Sequence, residues 1–588
     1  MLTRLRNDPA LLALLCALVA VIVIYALTIG YGLVDYDDGY LIRDNWVVRD
    51  ASWSSVHTIF FDLDSPRRFV LSPEYLPIRD LSVMLDCALW GDWLPGFHAT
   101  NLVLYLAAII LWFDVLVRFG VPRTVAAVAM VLWALHPSHA ESVAWLAERK
   151  GLLGVMFAGV TGACYVRYRD GRSWWLGLAM LASVCAVWSK AHAAFAVASL
   201  AGLELVRLPA GRERARAAVG IVAIGVCAAL AFIPVLRMAA SSHVVGLTSH
   251  APAGRAALVL GVHGFYAETG LMLHRNAVAY PLSTAGPSLV DIVVGAITLA
   301  GVAFALFAPR GHAWSPTPVM RSAAVLWFIG WFPVSHLVLP LQMIVVADRY
   351  MLIPSLGLCL ALAAVAGSIE SVGVRRALIV AFALAAALRT LDAQSSWRDG
   401  ASLWARAVES NPADGEAWSA YAEAVARAGD PNGAARIAAE GLTHVRNGRL
   451  LMRGALLRLS LGDAAGGQAM MREASDVGEP RAMANLALLL LPSDPQQALS
   501  WARKAATLMP MYVPARRAAG KAELATGNAA AAEVQFRHAH DLEPSCANAY
   551  NLALALLELK RSNEAHTLLE PCRGDRALDP QIEAALQR

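Results

Sequence analysis

Up to about residue 390 the chain repeats one feature that leaves few architectures open: apolar runs close to the length that crosses a bilayer. Leu11–Ile29 and Leu102–Val117 are two of them, and about 20 helical residues span a hydrocarbon core. Charged residues make up only 16% of the chain and hydrophobic residues 57%, whereas an ordinary soluble domain carries about 25% charged residues. After Trp397 the pattern becomes Ala-rich, charged and helical. The sequence therefore predicts an all-α chain in two parts. A polytopic membrane bundle covers residues 1–390, and a helical repeat domain covers 391–588.

Basic residues set the expected topology, because Arg and Lys favour cytoplasmic loops. Arg4 and Arg6 precede the first run and put the N-terminus inside. That run is too long for a signal peptide and lacks a small-residue cleavage site, so it reads as an uncleaved anchor. It delivers a long first loop, residues 31–98, to the outer face. Basic turns at Arg118/Arg123, Arg167/Arg169/Arg172, Arg207/Arg212/Arg214/Arg216, Arg310/Arg321 and Arg375/Arg376 fit the cytoplasmic side. Residues 257–275 are apolar but carry His263, Glu268 and His274. If they span, Arg310 and Arg321 fall outside. If they are re-entrant or interfacial, every basic turn lies inside and about eleven crossings result, which is the preferred reading. The repeat domain then lies on the outer side, the periplasm in a bacterial inner membrane.

Self-similarity at about 34 residues marks the C-terminal part as an array of tetratricopeptide (TPR) hairpins. Gly520, Gly527, Ala532, Phe536, Ala539 and Pro544 form the clearest copy. Small residues let the two helices of a hairpin touch, and Pro ends the second. Trp418, Tyr421, Ala422, Gly429 and Ala434 mark a second copy; Ala498, Ala502, Ala505 and Pro510 mark a third. Weaker copies start near Gly448 and Ala547, giving five repeats after a docking helix around Leu403–Val408. Such arrays present a concave peptide-binding face. The net charge of +4 contains no basic run for nucleic acid. The eight Cys form no CxxC pair, so free thiols are the expectation and a zinc site is not.

Chemistry is expected in the first loop, which opens Val34-Asp35-Tyr36-Asp37-Asp38-Gly39-Tyr40. Adjacent carboxylates at a membrane surface are costly to desolvate, and each raises the other's pKa. A raised pKa suits a general base that takes a hydroxyl proton near neutral pH. A solvated helix cap is the plain alternative for the same residues.

Four stretches carry a resemblance. Asp37-Asp38 with Asn45 is the first. The second is Tyr75-Leu76-Pro77-Ile78-Arg79, then Leu89-Trp90-Gly91 and Gly96-Phe97-His98-Ala99-Thr100-Asn101-Leu102. The third runs from His136 through His139, Glu141 and Glu148 to Arg149-Lys150, and the fourth from Ala347-Asp348-Arg349-Tyr350 to Gly357. In this order, with TPRs last, the chain resembles the TPR-bearing transmembrane O-mannosyltransferases and their bacterial relatives, which have the GT-C glycosyltransferase fold. Tyr75–Arg79 stands where the family has Tyr-x-Arg-Pro, and Ser189-Lys190-Ala191-His192 where it has Ser-Lys-Pro.

The resemblance implies an inverting transfer of a sugar, a hexose such as mannose, from a polyprenyl phosphate to a protein hydroxyl. Asp37 and Asp38 would supply the base. Cations must stabilise the leaving lipid phosphate, and Arg149, Lys150 and Arg349 are expected at the outer interface for that role, with Lys190 and His192 as further candidates. His98, His136, His139, Glu141 and Arg79 would orient the phosphate or the acceptor. No cofactor is required, and no ligand spacing demands a divalent metal. Expected partners are membrane lipids, the lipid-linked donor and a protein or peptide acceptor chosen by the TPRs. Two other functions fit parts of the pattern. A polysaccharide ligase or polymerase usually has its long outer loop late in the chain, and a non-enzymatic TPR scaffold gives the acidic pair no role.

Overall fold

The computed structural model describes residues 8–34, 36–63, 66–72, 74–241, 252–272, 275–337, 345–573 and 579–587. Arg4, Arg6, Asp35 and His274 lie outside them. The described residues are helical and contain no strand. The chain divides into two compact units, the first comprising Met1–Leu63 and Arg68–Asn411, the second principally Pro412–Arg588. The division thus falls at Asn411/Pro412 and not at 390/391. Trp397, Leu403 and Trp404 pack into the apolar cluster of the first loop, which holds helix Gly400–Ser410 in the first unit.

Among the described residues, five helices of the first unit are long and apolar enough to cross a membrane: Pro9–Gly30, Leu94–Arg118, Leu146–Arg169, Gly211–Ala239 and Leu289–Phe307. Shorter apolar helices are Arg123–Ala134, Trp175–Ser189, Pro318–Val334 and Pro354–Gly367. Val219, Val222, Val226, Leu230 and Ile233 are exposed and recur at helical spacing along Gly211–Ser241. A stripe this apolar fits contact with lipid tails and not water.

Three of the basic turns gather at one end of this unit. Arg123 pairs with Asp8, at the start of the first helix, at 2.8 Å. Arg169 donates to the Arg118 carbonyl and pairs with Glu204, and Arg216 donates to the Tyr168 carbonyl. The loops carrying the acidic pair and the later motifs gather at the other end.

Helix Pro252–Gly270 is bonded near both ends to a later stretch of the chain. Near its start Arg255 donates to the carbonyl of Leu337 at 2.8 Å. Beyond its end Asn276 and Tyr280 reach Asp348. Leu337 and Asp348 belong to one connection, between helices Pro318–Trp331 and Pro354–Gly367. Helix Pro252–Gly270 is thus tied to that connection near each end. It is clamped against Leu289–Phe307 through Gly264 and Gly295, where an added Cβ would lie 1.8 Å from the Asp291 carbonyl oxygen or 1.9 Å from that of Leu260. Only glycine allows so close a backbone approach. His263 Nε2 accepts the Trp327 indole N–H at 3.1 Å inside the unit.

The second unit is a TPR-like solenoid. Its helical hairpins are Gly415–Arg427 with Pro431–His444, Gly448–Ser460 with Ala464–Asp476, Pro480–Leu490 with Pro495–Leu508, Val513–Ala525 with Ala529–Leu542, and Cys546–Glu558 with Ser562–Leu569. Helix Asp579–Leu586 follows. The small residues act as expected: a Cβ on Gly520 would lie 2.5 Å from the Phe536 ring, and one on Gly441 2.7 Å from Trp418. Cys546 and Cys572 form a disulfide, which corrects the expectation of free thiols for these two. Cys16, Cys87, Cys164, Cys185, Cys227 and Cys359 are free.

Candidate active site at the loop face

The acidic pair splits into two environments. Asp38 is buried, and its carboxylate accepts the backbone N–H of Val34 at 3.0 Å and of Ala147 at 2.9 Å. It pins the start of the first loop to the end of the second. Burial pushes its carboxyl up to about 7, against these two hydrogen bonds. Asp37 is only partly buried and has the Tyr40 hydroxyl as a hydrogen-bonding neighbour. Burial raises its pKa, while Lys150 and Arg349 pull it back and Glu74 adds to the rise. The expected elevation is present, but burial and not the adjacent carboxylate is its main cause. Of the two expected bases, Asp38 is committed to backbone N–H groups, whereas no backbone N–H bonds the Asp37 carboxylate among the described residues.

Three motifs meet around it. Lys150, at the start of helix Arg149–Arg169, pairs with Glu74 of the first loop at 2.6 Å. Lys190, in the turn after helix Trp175–Ser189, pairs with Glu148 and lies 5.7 Å from the Tyr350 ring centre. Arg349 is clamped by Glu141, which takes its backbone N–H at 2.7 Å and its guanidinium as well. Its guanidinium also lies over Trp145 at 5.6 Å and Tyr350 at 5.2 Å. His192 meets Tyr350 edge-on at 5.9 Å. Burial, then Lys190, Lys150 and Arg349, drive its pKa down, so it is a neutral donor or acceptor and not the cation expected. Arg79 is buried and held by Asp80 and the Leu71 carbonyl. Its Nη1 has no hydrogen-bond partner among the described residues. The Arg79 charge still acts on Asp37.

Other expected site residues lie elsewhere. Arg149 is buried and committed: it pairs with Asp86 at 2.5 Å and donates to Asn101 Oδ1 at 2.8 Å and to the carbonyls of Phe97 and Ser82. It ties the entry of helix Leu94–Arg118 to the second loop and does not join the cluster around Asp37. His139 bridges the Tyr105 hydroxyl at 2.7 Å and Ser355 Oγ at 2.9 Å. His136 bonds Ser138 and the Gly270 carbonyl. Both imidazoles latch the second loop to neighbouring helices, which corrects their assignment to phosphate or acceptor. His98 is buried edge-on to Tyr31 at 6.4 Å, also apart from the cluster. Glu141 orients Arg349 and faces no open space. Asp348 accepts from Asn276 at 2.8 Å and Tyr280 at 2.7 Å, so it positions the neighbouring Arg349. Among the described residues, no group of three or more His, Cys, Asp or Glu side chains comes together to hold a metal.

Sequence reasoning missed Glu74, Trp145 and Tyr350. Trp145 stacks on Tyr36 at 4.9 Å and on Trp397 at 5.3 Å, welding the second loop to the first and to the segment leaving this unit. Glu74 flanks a quoted motif and Trp145 and Tyr350 lie inside two others without a role assigned to them, and that placement was the only signal for them.

The whole is an all-helical chain with membrane-length apolar helices and a C-terminal repeat solenoid. No family model matches it, and no curated protein does. Among solved structures, the chain is similar to the hetero-tetramer Cut9–Hcn1 of APC/C at 12% identity, over 91% of this chain and 92% of that one, with a TM-score of 0.30. It is similar to yeast Tom70 at 14% identity over 81% and 95%, with a TM-score of 0.26. The TPR domain of P58(IPK) matches at 13% identity over 73% and 96%, with a TM-score of 0.19. Scores this low leave the architecture to be read from the helices themselves.

Proposed function

We propose that this chain is an inverting membrane glycosyltransferase. It transfers a sugar, a hexose such as mannose, from a polyprenyl-phosphate donor to a protein hydroxyl at the extracytoplasmic face. One observation carries the reading. A partly buried carboxylate of raised pKa, Asp37, lies within the electrostatic reach of Lys150 and Arg349, contributed by two distant motifs. Lys190 and His192 come to the same cations from a third. A base beside a cationic cluster is what displacement of a phosphate by a hydroxyl requires.

In this mechanism Asp37 accepts the proton of the acceptor hydroxyl. The oxygen attacks the anomeric carbon as the carbon–oxygen bond to phosphate breaks. The electron pair leaves with the lipid phosphate, and nearby cations balance the added charge. Lys150 is the best placed. Its side chain is 15% exposed and its partner Glu74 is 51% exposed, so this pair reaches solvent where the buried Arg349 and Lys190 pairs do not. Arg349 and Lys190 are held more tightly, and they set the local potential.

The proposed topology has about eleven spans, with helix Pro252–Gly270 re-entrant and the first loop and repeats outside, in the periplasm if the membrane is bacterial. Two features support it. The basic turns at Arg118/Arg123, Arg167/Arg169/Arg172 and Arg207/Arg212/Arg214/Arg216 come together at one end, and the Cys546–Cys572 bridge suits an oxidising compartment.

The test is Asp37→Asn in the purified full chain, given a polyprenyl-phosphate mannose donor and a Ser/Thr-rich peptide. Loss of a general base typically costs about 10²–10⁴ in rate, and wild-type thermal unfolding should be kept. Full turnover in Asp37→Asn refutes the assignment. A scaffold acting through the repeats alone predicts no transfer in either protein.

A further inference from the structure

We propose that the hollow lined by the first helices of the third, fourth and fifth hairpins binds an acidic peptide segment through Arg517 and Lys521. The hollow has a volume of about 340 Å³, and Leu488, Pro514, Arg517, Lys521, Tyr550 and Asn551 are among its walls. Pro514, Arg517 and Lys521 recur at helical spacing on one face of Val513–Ala525. The adjoining face buries Ala515, Ala518, Ala519 and Ala522 in the solenoid core.

Charge decides what this face fits. No carboxylate lines the hollow. Elsewhere in the solenoid most guanidinium groups are neutralised: Arg449 by Glu416, Arg453 by Glu423, Arg503 by Glu523 and Arg561 by Glu533. Arg517 and Lys521 take part in no ion pair among the described residues. Arg481 continues the positive row from the third hairpin, one face with Leu488, and lies over the Tyr512 ring at 5.6 Å. Two unpaired cations one helical turn apart, beside the Tyr550 ring and the Leu488 and Pro514 side chains, suit a peptide that alternates carboxylates with apolar groups. Asn551 donates to the Ala547 carbonyl, and its side-chain carbonyl stays available to a peptide N–H.

This deepens the reading of the repeats as the part that selects an acceptor, yet it stands without the transfer chemistry. Peptide binding here and transfer by Asp37 are separate readouts. The probe is a fluorescent ten-residue peptide of Glu, Leu and Ser, acetylated and amidated so that only side-chain carboxylates carry charge. Its Gln and Lys counterparts are the controls. Binding to the full chain in detergent is read by anisotropy. The Glu peptide should bind at least about tenfold tighter than the Gln peptide and weaken with salt, as expected for two partly exposed ion pairs. The double variant Arg517→Glu/Lys521→Glu should reverse the preference towards the Lys peptide. Equal binding of Glu and Gln peptides, no binding of the Glu peptide to wild type, or an unchanged preference in the double variant overturns the proposal.

Discussion

Arg149→Ala should damage the fold and leave donor recognition intact. The Arg149 and Asp86 side chains are only 1% and 3% exposed. The guanidinium also satisfies Asn101 and the carbonyls of Phe97 and Ser82. Removing one member of a buried ion pair costs about 3–5 kcal/mol, because the partner is left charged and unpaired. The three stranded acceptors add to this, less than additively, since they share one donor group. The loss should appear as a lower unfolding temperature in detergent and a lower yield of folded protein. Arg149→Met with Asp86→Leu removes both charges and should recover most of the loss, because a buried pair replaced by apolar groups is often neutral. Thr100, which bonds Asp86, keeps its bond to the Gly96 carbonyl. Donor titration of the folded fraction completes the test. Wild-type unfolding combined with a weakened donor response would show that Arg149 serves the ligand and that this reasoning is wrong.

Lys150→Met should raise the donor KM about 10–100-fold, the worth of one hydrogen bond to a charged group at about 1.5–3 kcal/mol; an unchanged KM would remove Lys150 from the phosphate site. The Asp37 pKa is raised by burial, and only the ionised form accepts a proton. Transfer should therefore fall as pH drops through a value above the ordinary Asp pKa of about 4. Lys150 lowers the Asp37 pKa, so Lys150→Met should move this acid limb to higher pH, and a limb that stays put or moves down contradicts the placement. Replacing Cys546 and Cys572 by Ser opens a bridge across 26 residues and should destabilise the solenoid by about 3 kcal/mol, read as a lower unfolding temperature without reductant. Exposed Asn528, replaced by Cys, should react with an impermeant thiol reagent in cells whose inner membrane is intact; labelling only after lysis would place the repeats inside.

Periodicity and composition fixed the helical class, the two-part organisation and the hairpin positions, because helix formation and hairpin packing are local. Gly520 against Phe536 and Gly441 against Trp418 need only the spacing of one repeat. The loop motifs were legible as motifs for the same reason. Their division of labour was not. Asp37 and Asp38 are neighbours in a tight turn, as Arg149 and Lys150 are at a helix start, and consecutive side chains there point in different directions. Which of each pair is buried depends on where Val34, Ala147, Asp86 and Asn101 arrive from distant segments. Glu74 and Glu148 became partners of Lys150 and Lys190 the same way. The end of the first unit at Asn411 depended on Trp397 and Trp404 finding the first loop, and the disulfide on a hairpin returning Cys572 to Cys546. Short-range pattern told which residues carry chemistry or packing; long-range contact decided which of two adjacent residues holds the fold and which faces the reacting groups.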